Sequence, residues 1–347
     1  MRKREFGWIT KLIAVAVAVA ATAGEPDRRE SFLCIIEEND TFGDVLGGTT
    51  RDRHYTQGLK VMWIGGDGSF SKCTAALDRL VPVCGMLPKA SNLGFVILGQ
   101  NIYTPSDLNA TAPIHNDRPY AGWLYAGLVF QREGVTPARR IPVLDSFELD
   151  LGVTGSASLA REAQRTWHDW THGTIPRGWH NQIKTEPGLE LKYARYWRLT
   201  LNEKTADFFD FIPHIGGSLG NIRTHAAAGG TLRLGWNLPR DFGPVIGDAA
   251  APTIGRRKEA GWFSFYGFGG AEGRIVARNI FLDGNTYLSS MSVDKKNAVA
   301  DLYWGAAILL WQRVELSIMG VYRTEEFRGQ QNPDTFGSIM LKAAFPI

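Results

Sequence analysis

Phe147-Glu148-Leu149-Asp150-Leu151-Gly152-Val153 carries apolar side chains at its odd positions and acidic or small ones between them. Successive side chains of a β-strand point to opposite faces, so the stretch reads as a strand with one greasy and one polar face. The alternation recurs in Leu302, Trp304, Ala306, Ile308 and Leu310 against Asp301, Tyr303 and Gly305. It recurs in Val314, Leu316 and Ile318 against Glu315 and Ser317, and ends in Ile339, Leu341, Ala343, Phe345 and Ile347. About twelve such segments follow Ser31, near 31–38, 54–64, 92–101, 121–132, 145–154, 188–200, 208–220, 227–237, 261–272, 298–311, 314–326 and 335–347.

The first residues put these strands on an export route. Met1-Arg2-Lys3-Arg4 is basic, Leu12 through Ala20 is apolar, and Ala21-Thr22-Ala23 offers small residues before Gly24. That is the form of a secretory signal over residues 1–23, leaving 24–347 as one domain. A membrane anchor is the alternative, but the run is short for a span and lacks a basic stop-transfer flank. An even number of long alternating strands in an exported chain predicts an all-β fold. It is an antiparallel transmembrane β-barrel of about twelve strands, apolar toward lipid and polar toward the lumen. A soluble β-sandwich has the same period, and strand length together with the lack of a continuous apolar strand favours the barrel. Trp123, Trp197, Trp236, Trp262 and Trp304 fall on or near strands, where interfacial aromatic girdles would sit.

A formal net charge of +3, from basic residues scattered along the chain, argues against a nucleic-acid partner. Of three cysteines, Cys73 and Cys84 share one connection and could bridge, while Cys34 in the first strand reads as a small buried residue. No Cys/His spacing resembles a zinc site. His168 and His172 are the one close histidine pair that could share a helix face.

The stretch from Ser158 to Trp170 breaks the alternation. It holds good helix formers, a serine able to cap the start, and Gln164 and His168 four residues apart on one face. Strand parity then groups the polar motifs. With a periplasmic start, the connections near 39–53, 103–118 and 156–185 all lie on the extracellular side. Asn39, Asp40, Thr56, Asp117, Arg118, Gln164 and His168 gather there, whereas the connection with Cys73 and Cys84 lies on the periplasmic side.

A histidine beside a carboxylate and a hydroxyl suggests hydrolysis, because an imidazole of ordinary pKa about 6.5 can take a proton from water or a hydroxyl. Two mechanisms compete. Thr56 or a serine could be a nucleophile activated by His168, or His168 could activate water while a hard cation held by Asp40 and carbonyl oxygens polarises an ester. The chain has no G-x-S-x-G elbow, and threonine is a poor nucleophile without an aligned base. Water is therefore favoured, with calcium and donors from Asn39 and Thr56 stabilising the oxyanion.

Glu38-Asn39-Asp40, Tyr55-Thr56-Gln57-Gly58 and the run from Asn116 to Trp123 recur in order with Gln164-x-x-x-His168 and Gly178-Trp179-x-Asn181-Gln182. Together they resemble the outer-membrane lipid A deacylase family over nearly the whole chain. The resemblance implies a twelve-stranded barrel in the bacterial outer membrane, its site facing the outer leaflet. It also implies that lipid A is the substrate and that calcium-dependent ester hydrolysis removes the 3′-linked acyloxyacyl group. His168 would be the general base, with Asn39, Asp40 and Thr56 around the ester and Asp40 the calcium-linked position. Asp117 would either pair with Arg118 or Arg53 to hold the rim or act directly, and Tyr120 belongs to the same motif. Gln164 would orient the ring or the substrate, with Gln182 and Glu186 as secondary candidates.

The chain departs from the family in ending Phe345-Pro346-Ile347, and in lacking a basic pair between Asp107 and His115. Arg51, Arg53 and Arg118 remain for phosphate recognition. Two other readings stand beside the esterase. A porin or structural barrel would use lumen charges such as Asp150, Glu315 and Arg323, and a phospholipase would need a serine paired with a histidine on the barrel wall. A monomer is the default state.

Overall fold

The computed structural model describes residues 30–40, 42, 53–66, 68–81, 84–171, 173–244 and 262–345. The expected signal over 1–23 and residues Arg51, His172, Pro346 and Ile347 lie outside them. Twelve strands form: β1 (Ser31–Asn39), β2 (His54–Ile64), β3 (Leu87–Thr104), β4 (Ala121–Val135), β5 (Pro142–Thr154) and β6 (Pro187–Trp197). They continue with β7 (Phe209–Gly220), β8 (Arg223–Trp236), β9 (Phe263–Asn279), β10 (Ala298–Leu310), β11 (Val314–Arg323) and β12 (Asp334–Phe345). Each strand pairs antiparallel with its sequence neighbours, and β1 pairs with both β2 and β12, so the barrel closes without an edge.

The alternation read from the sequence sorts side chains as expected. Leu128, Leu151, Leu232, Leu234, Ile275 and Leu302 are exposed on the outer wall. Glu148, Asp150, Lys192, Asp210, Arg233, Asp301, Glu315 and Lys342 are buried inside. These charges neutralise one another: Lys60 and Lys192 reach Glu148 Oε1 at 2.5 and 3.0 Å, and Arg233 joins Asp210 at 2.7 Å and Asp241. Asp301 is held between Arg274 at 2.8 Å and Arg323 at 2.9 Å. Buried charges persist when paired in this way, and here they occupy the lumen that a porin would leave open.

Among the described residues, three α-helices interrupt the pattern: α1 (Ser71–Leu80) between β2 and β3, α2 (Ala160–Thr171) between β5 and β6, and α3 (Ile280–Asp283) between β9 and β10. α2 was expected from its composition; α1 and α3 were not. α1 lies at the end opposite α2, tied by Arg132, whose Nε donates to Asp78 Oδ1 at 2.8 Å and whose Nη2 donates to the Val81 carbonyl at 3.1 Å. α3 buries Ile280, Phe281 and Leu282, and Phe281 stacks on the lumen residue Tyr103 at 4.2 Å, so it plugs the barrel mouth.

Two expectations are corrected. Trp123 is 0% exposed and stacks on Tyr125 inside the barrel, so it belongs to no girdle; Trp236, Trp262 and Trp304 are 64%, 66% and 41% exposed on the outside. Cys73 and Cys84 are both exposed and unbridged, while Cys34 is buried as expected.

Candidate active site at one rim of the barrel

The ends of β1, β3 and β5 and the starts of β2, β4 and β6 share one rim, so the motifs read from the sequence converge there. Tyr55 and Tyr103 point inward, with Tyr55 donating to Glu38 Oε2 at 2.5 Å. A register shift between Tyr55 and Gln57 leaves Thr56 out of the β2–β3 pairing, with its hydroxyl 2.7 Å from that of Thr104. Asn39 lies opposite Gln57 in β2 and Gly337 in β12, and both Asn39 and Asp40 are buried. Asp40 Oδ2 accepts the backbone N–H of Arg53 at 3.0 Å, which fixes the carboxylate at the strand end.

The second half of the site comes from the β5–β6 connection. Gly155, at φ +65°, turns the chain out of β5, and the Ser158 hydroxyl donates to the Gly155 carbonyl at 2.6 Å instead of capping α2. α2 lies against β3 and β4. Its seat requires Gly122, because a Cβ there would overlap Ser158 Oγ and Ala160 Cβ. The buried face of the helix carries Ala160, Gln164 and His168, while Arg161, Glu162, Arg165, Thr166 and Asp169 are exposed. Ile102, Leu108, Tyr120, Ala160 and Trp179 form the apolar cluster beneath it.

His168 is 5% exposed. Its Nδ1 meets the Thr174 carbonyl, which can only accept, so the neutral ring carries its proton on Nδ1 and its lone pair on Nε2. Gln164 Oε1 accepts the indole N–H of Trp179 at 2.8 Å, and Trp179 packs on Tyr120 with ring centres 4.9 Å apart. Gln164 is thus locked to Trp179, a partner the sequence reading had not given it. Gln182, half-buried, follows the short turn Trp179–Asn181.

Asp117 does not pair with the guanidinium of Arg118 or Arg53. It accepts the Ser106 N–H and hydroxyl at 2.7 and 2.5 Å and the Arg118 backbone N–H at 2.7 Å, and its Oδ1 lies 3.3 Å from His54 Nε2. Burial disfavours its charged form, but the hydrogen bonds from His54 and Ser106 outweigh it and hold the carboxyl at about 2. His54, at φ +63°, binds Asp334 through Nδ1. The sequence reading passed over this histidine, although it stands inside the motif-rich segment. The Arg53 side chain turns to Asp334 at 3.5 Å and to the Pro333 carbonyl at 3.2 Å.

Arg118 is 0% exposed, 3.2 Å from Glu326 and over the ring of Tyr103, so it fills the barrel mouth and is no surface phosphate ligand. Glu186 accepts the backbone N–H groups of Thr286 and Tyr287 at 2.8 and 3.1 Å, which outweigh the penalty of burial and lower its pKa; it clamps a loop. A serine–histidine pair does exist: Ser218 Oγ lies 2.8 Å from His225 Nδ1. His225 lines cavities of the barrel interior together with Arg274, away from the wall a phospholipase would use.

Among the described residues, no group of three or more His, Cys, Asp or Glu side chains is placed to hold a metal. Asp40, Asn39 and Thr56 offer one carboxylate and neutral oxygens. That donor type suits a hard cation such as calcium, which draws further ligands from backbone carbonyls, and does not suit zinc.

The family model for outer membrane protein LpxR matches residues 9–345. The solved structure of LpxR from Salmonella typhimurium superposes with a TM-score of 0.69 at 21% identity, covering 90% of this chain and 99% of that one. The β domain of the Bordetella autotransporter Brka aligns over 92% of this chain and 100% of its own at 10% identity, with a TM-score of 0.43 too low to support inference. No curated protein sequence matches. The family match over nearly the whole length shows that the chain belongs to the LpxR family of outer-membrane proteins.

Proposed function

We propose that this protein is a calcium-dependent esterase that removes the 3′-linked acyloxyacyl group from lipid A, with its site facing the outer leaflet. The observation that carries this reading is the docking of α2 on the outer wall. It buries Gln164 and His168 against the rim that also carries Asn39, Asp40 and Thr56. A lipid ester in the adjoining leaflet can reach that place without entering the lumen.

His168 takes a proton from water through Nε2, while the Thr174 carbonyl keeps the ring in the required tautomer. Asn39 and Thr56 donate to the developing oxyanion, and Asp40 would hold calcium. When bound, that ion polarises the ester carbonyl. Trp179 and Tyr120 support the helix face through Gln164.

The test is mass spectrometry of lipid A from cells expressing wild type or His168→Ala, with and without a calcium chelator. Loss of the 3′-linked group only with wild type and calcium supports the reading. Unchanged lipid A in cells whose outer membrane holds the folded wild-type barrel refutes it.

A further inference from the structure

A second polar site lies inside the barrel mouth, on the lumen side of the same rim. A cavity there is lined by Tyr103, Arg223, His225, Val276, Asn279 and Val299, with Arg274, Arg278, Arg323 and Glu326 completing its wall. Four guanidinium groups therefore face one space, and Glu326 is the one carboxylate among its lining residues. That carboxylate is already engaged, with Arg118 Nη1 at 3.2 Å and Arg323 Nη1 at 4.0 Å. Arg274 is matched by Glu272 at 3.4 Å and Asp301 at 2.8 Å, and Asp301 is shared with Arg323.

Arg278 is the exception. Its Nε donates to the Asn221 carbonyl at 3.1 Å, and its Nη2 donates to the Gly284 carbonyl at 2.9 Å and the Thr286 hydroxyl at 2.8 Å. All three acceptors are neutral, and no described carboxylate neutralises this charge. A second observation lies next door. Arg118, fully buried against Glu326, has no hydrogen-bond partner for Nε or Nη2 among the described residues. Arg223, the remaining lining arginine, is paired with Glu190 at 3.5 Å, so Arg278 is the one lining guanidinium that no described carboxylate matches, and Arg118 adds unused N–H donors beside it.

We propose that the cavity is an oxyanion-binding site of the phosphate class, with Arg278 as its principal cation and Arg223, Arg274 and Arg323 as the surrounding field. Planar guanidinium groups match the geometry of phosphate oxygens, and their orientation here is fixed by their other hydrogen bonds. The site does not depend on the esterase reading, since it is separated from His168 by the barrel wall.

The test is isothermal titration of the purified, detergent-solubilised protein with inorganic phosphate, and separately with mixed micelles carrying a phosphorylated or a dephosphorylated glucosamine lipid. Wild type should bind phosphate, Arg278→Gln should bind about tenfold more weakly, and Arg278→Lys should recover part of the loss. Binding of inorganic phosphate assigns a soluble anion. Binding of the phosphorylated lipid alone, with the same sensitivity to Arg278→Gln, assigns a headgroup. The proposal is overturned if wild type binds neither, or if a folded Arg278→Gln variant, verified by its β-sheet circular dichroism, binds as wild type does.

Discussion

His54 Nδ1 lies 2.8 and 2.9 Å from the two carboxylate oxygens of Asp334, a residue 280 positions away. β1 runs between the strands that carry them, so the contact spans the seam where the barrel closes. The other ring nitrogen reaches Asp117, and Phe327 packs edge-on against the ring at 5.3 Å. One imidazole thereby joins β2, β12 and the loop ahead of β4, next to the Arg53 N–H that orients Asp40. Asp334→Asn should destabilise the folded barrel by about 1–3 kcal/mol, read from urea unfolding in detergent. On the proposed reading of Asp40 as a calcium ligand, it should also weaken calcium binding, and unchanged calcium affinity would separate the seam from the site.

Asp117 supplies a pH dependence whose sign is fixed. Its carboxyl is held at about 2, below the 3.8 of an ordinary aspartate, so its stabilisation is fully present above pH 3.8 and is lost as pH falls through about 2. Below about pH 6, where His54 carries its proton, the stability difference between wild type and Asp117→Asn should hold down to about pH 4 and shrink between pH 4 and pH 2; above neutrality it should shrink again as His54, whose pKa Asp117 raises, deprotonates. Unfolding curves over that range would show it, and a difference that grows between about pH 4 and pH 2 would contradict the hydrogen-bond account.

Trp179→Phe keeps most of the packing on Tyr120 but removes the N–H that fixes Gln164. Activity on lipid A should fall roughly tenfold, consistent with loss of one neutral hydrogen bond in a positioned site, while barrel stability stays near wild type. An activity equal to wild type would leave Gln164 without a role set by that bond.

Gly122→Val places a side chain where Ser158 and Ala160 now sit. α2 should lift from the wall, and, with His168 as the proposed general base, hydrolysis should drop by two or more orders of magnitude. Electrophoretic heat-modifiability should still report a closed barrel, because Gly122 points away from the lumen.

Asp301→Ala should act in the opposite way. It strips the shared partner from Arg274 and Arg323, leaving each with a single, longer ion pair to Glu272 or Glu326, and removing one member of a buried pair costs up to about 3–5 kcal/mol. Stability should fall, with hydrolysis per folded molecule retained at temperatures where the variant remains closed.

Much of this was legible in the sequence because a barrel wall writes itself in a period of two. Glu148 and Asp150 went inward and Leu151 outward as the alternation required, and parity carried Asn39, Thr56 and His168 to one rim. Position on the wall does not reveal partners. Asp117 had Arg118 beside it in sequence and Arg53 expected at the same rim, yet its side chain found His54 and Ser106, because Arg118 is drawn into the mouth by Glu326, 208 residues later. Trp123 looked like an interfacial tryptophan until its parity within β4 was counted: it matches Tyr125, which faces inward. α3 gave no periodic signal, since four residues are barely one turn.

The seating of α2 on the outside of β3 and β4 has a kinetic consequence. A site placed against the wall encounters its lipid by diffusion within a two-dimensional sheet. Its turnover should therefore follow the mole fraction of substrate in that sheet and not the amount per volume of solution. Diluting the substrate with inert detergent or phospholipid at constant total substrate should slow the reaction, as surface dilution does for an enzyme that works from within the leaflet.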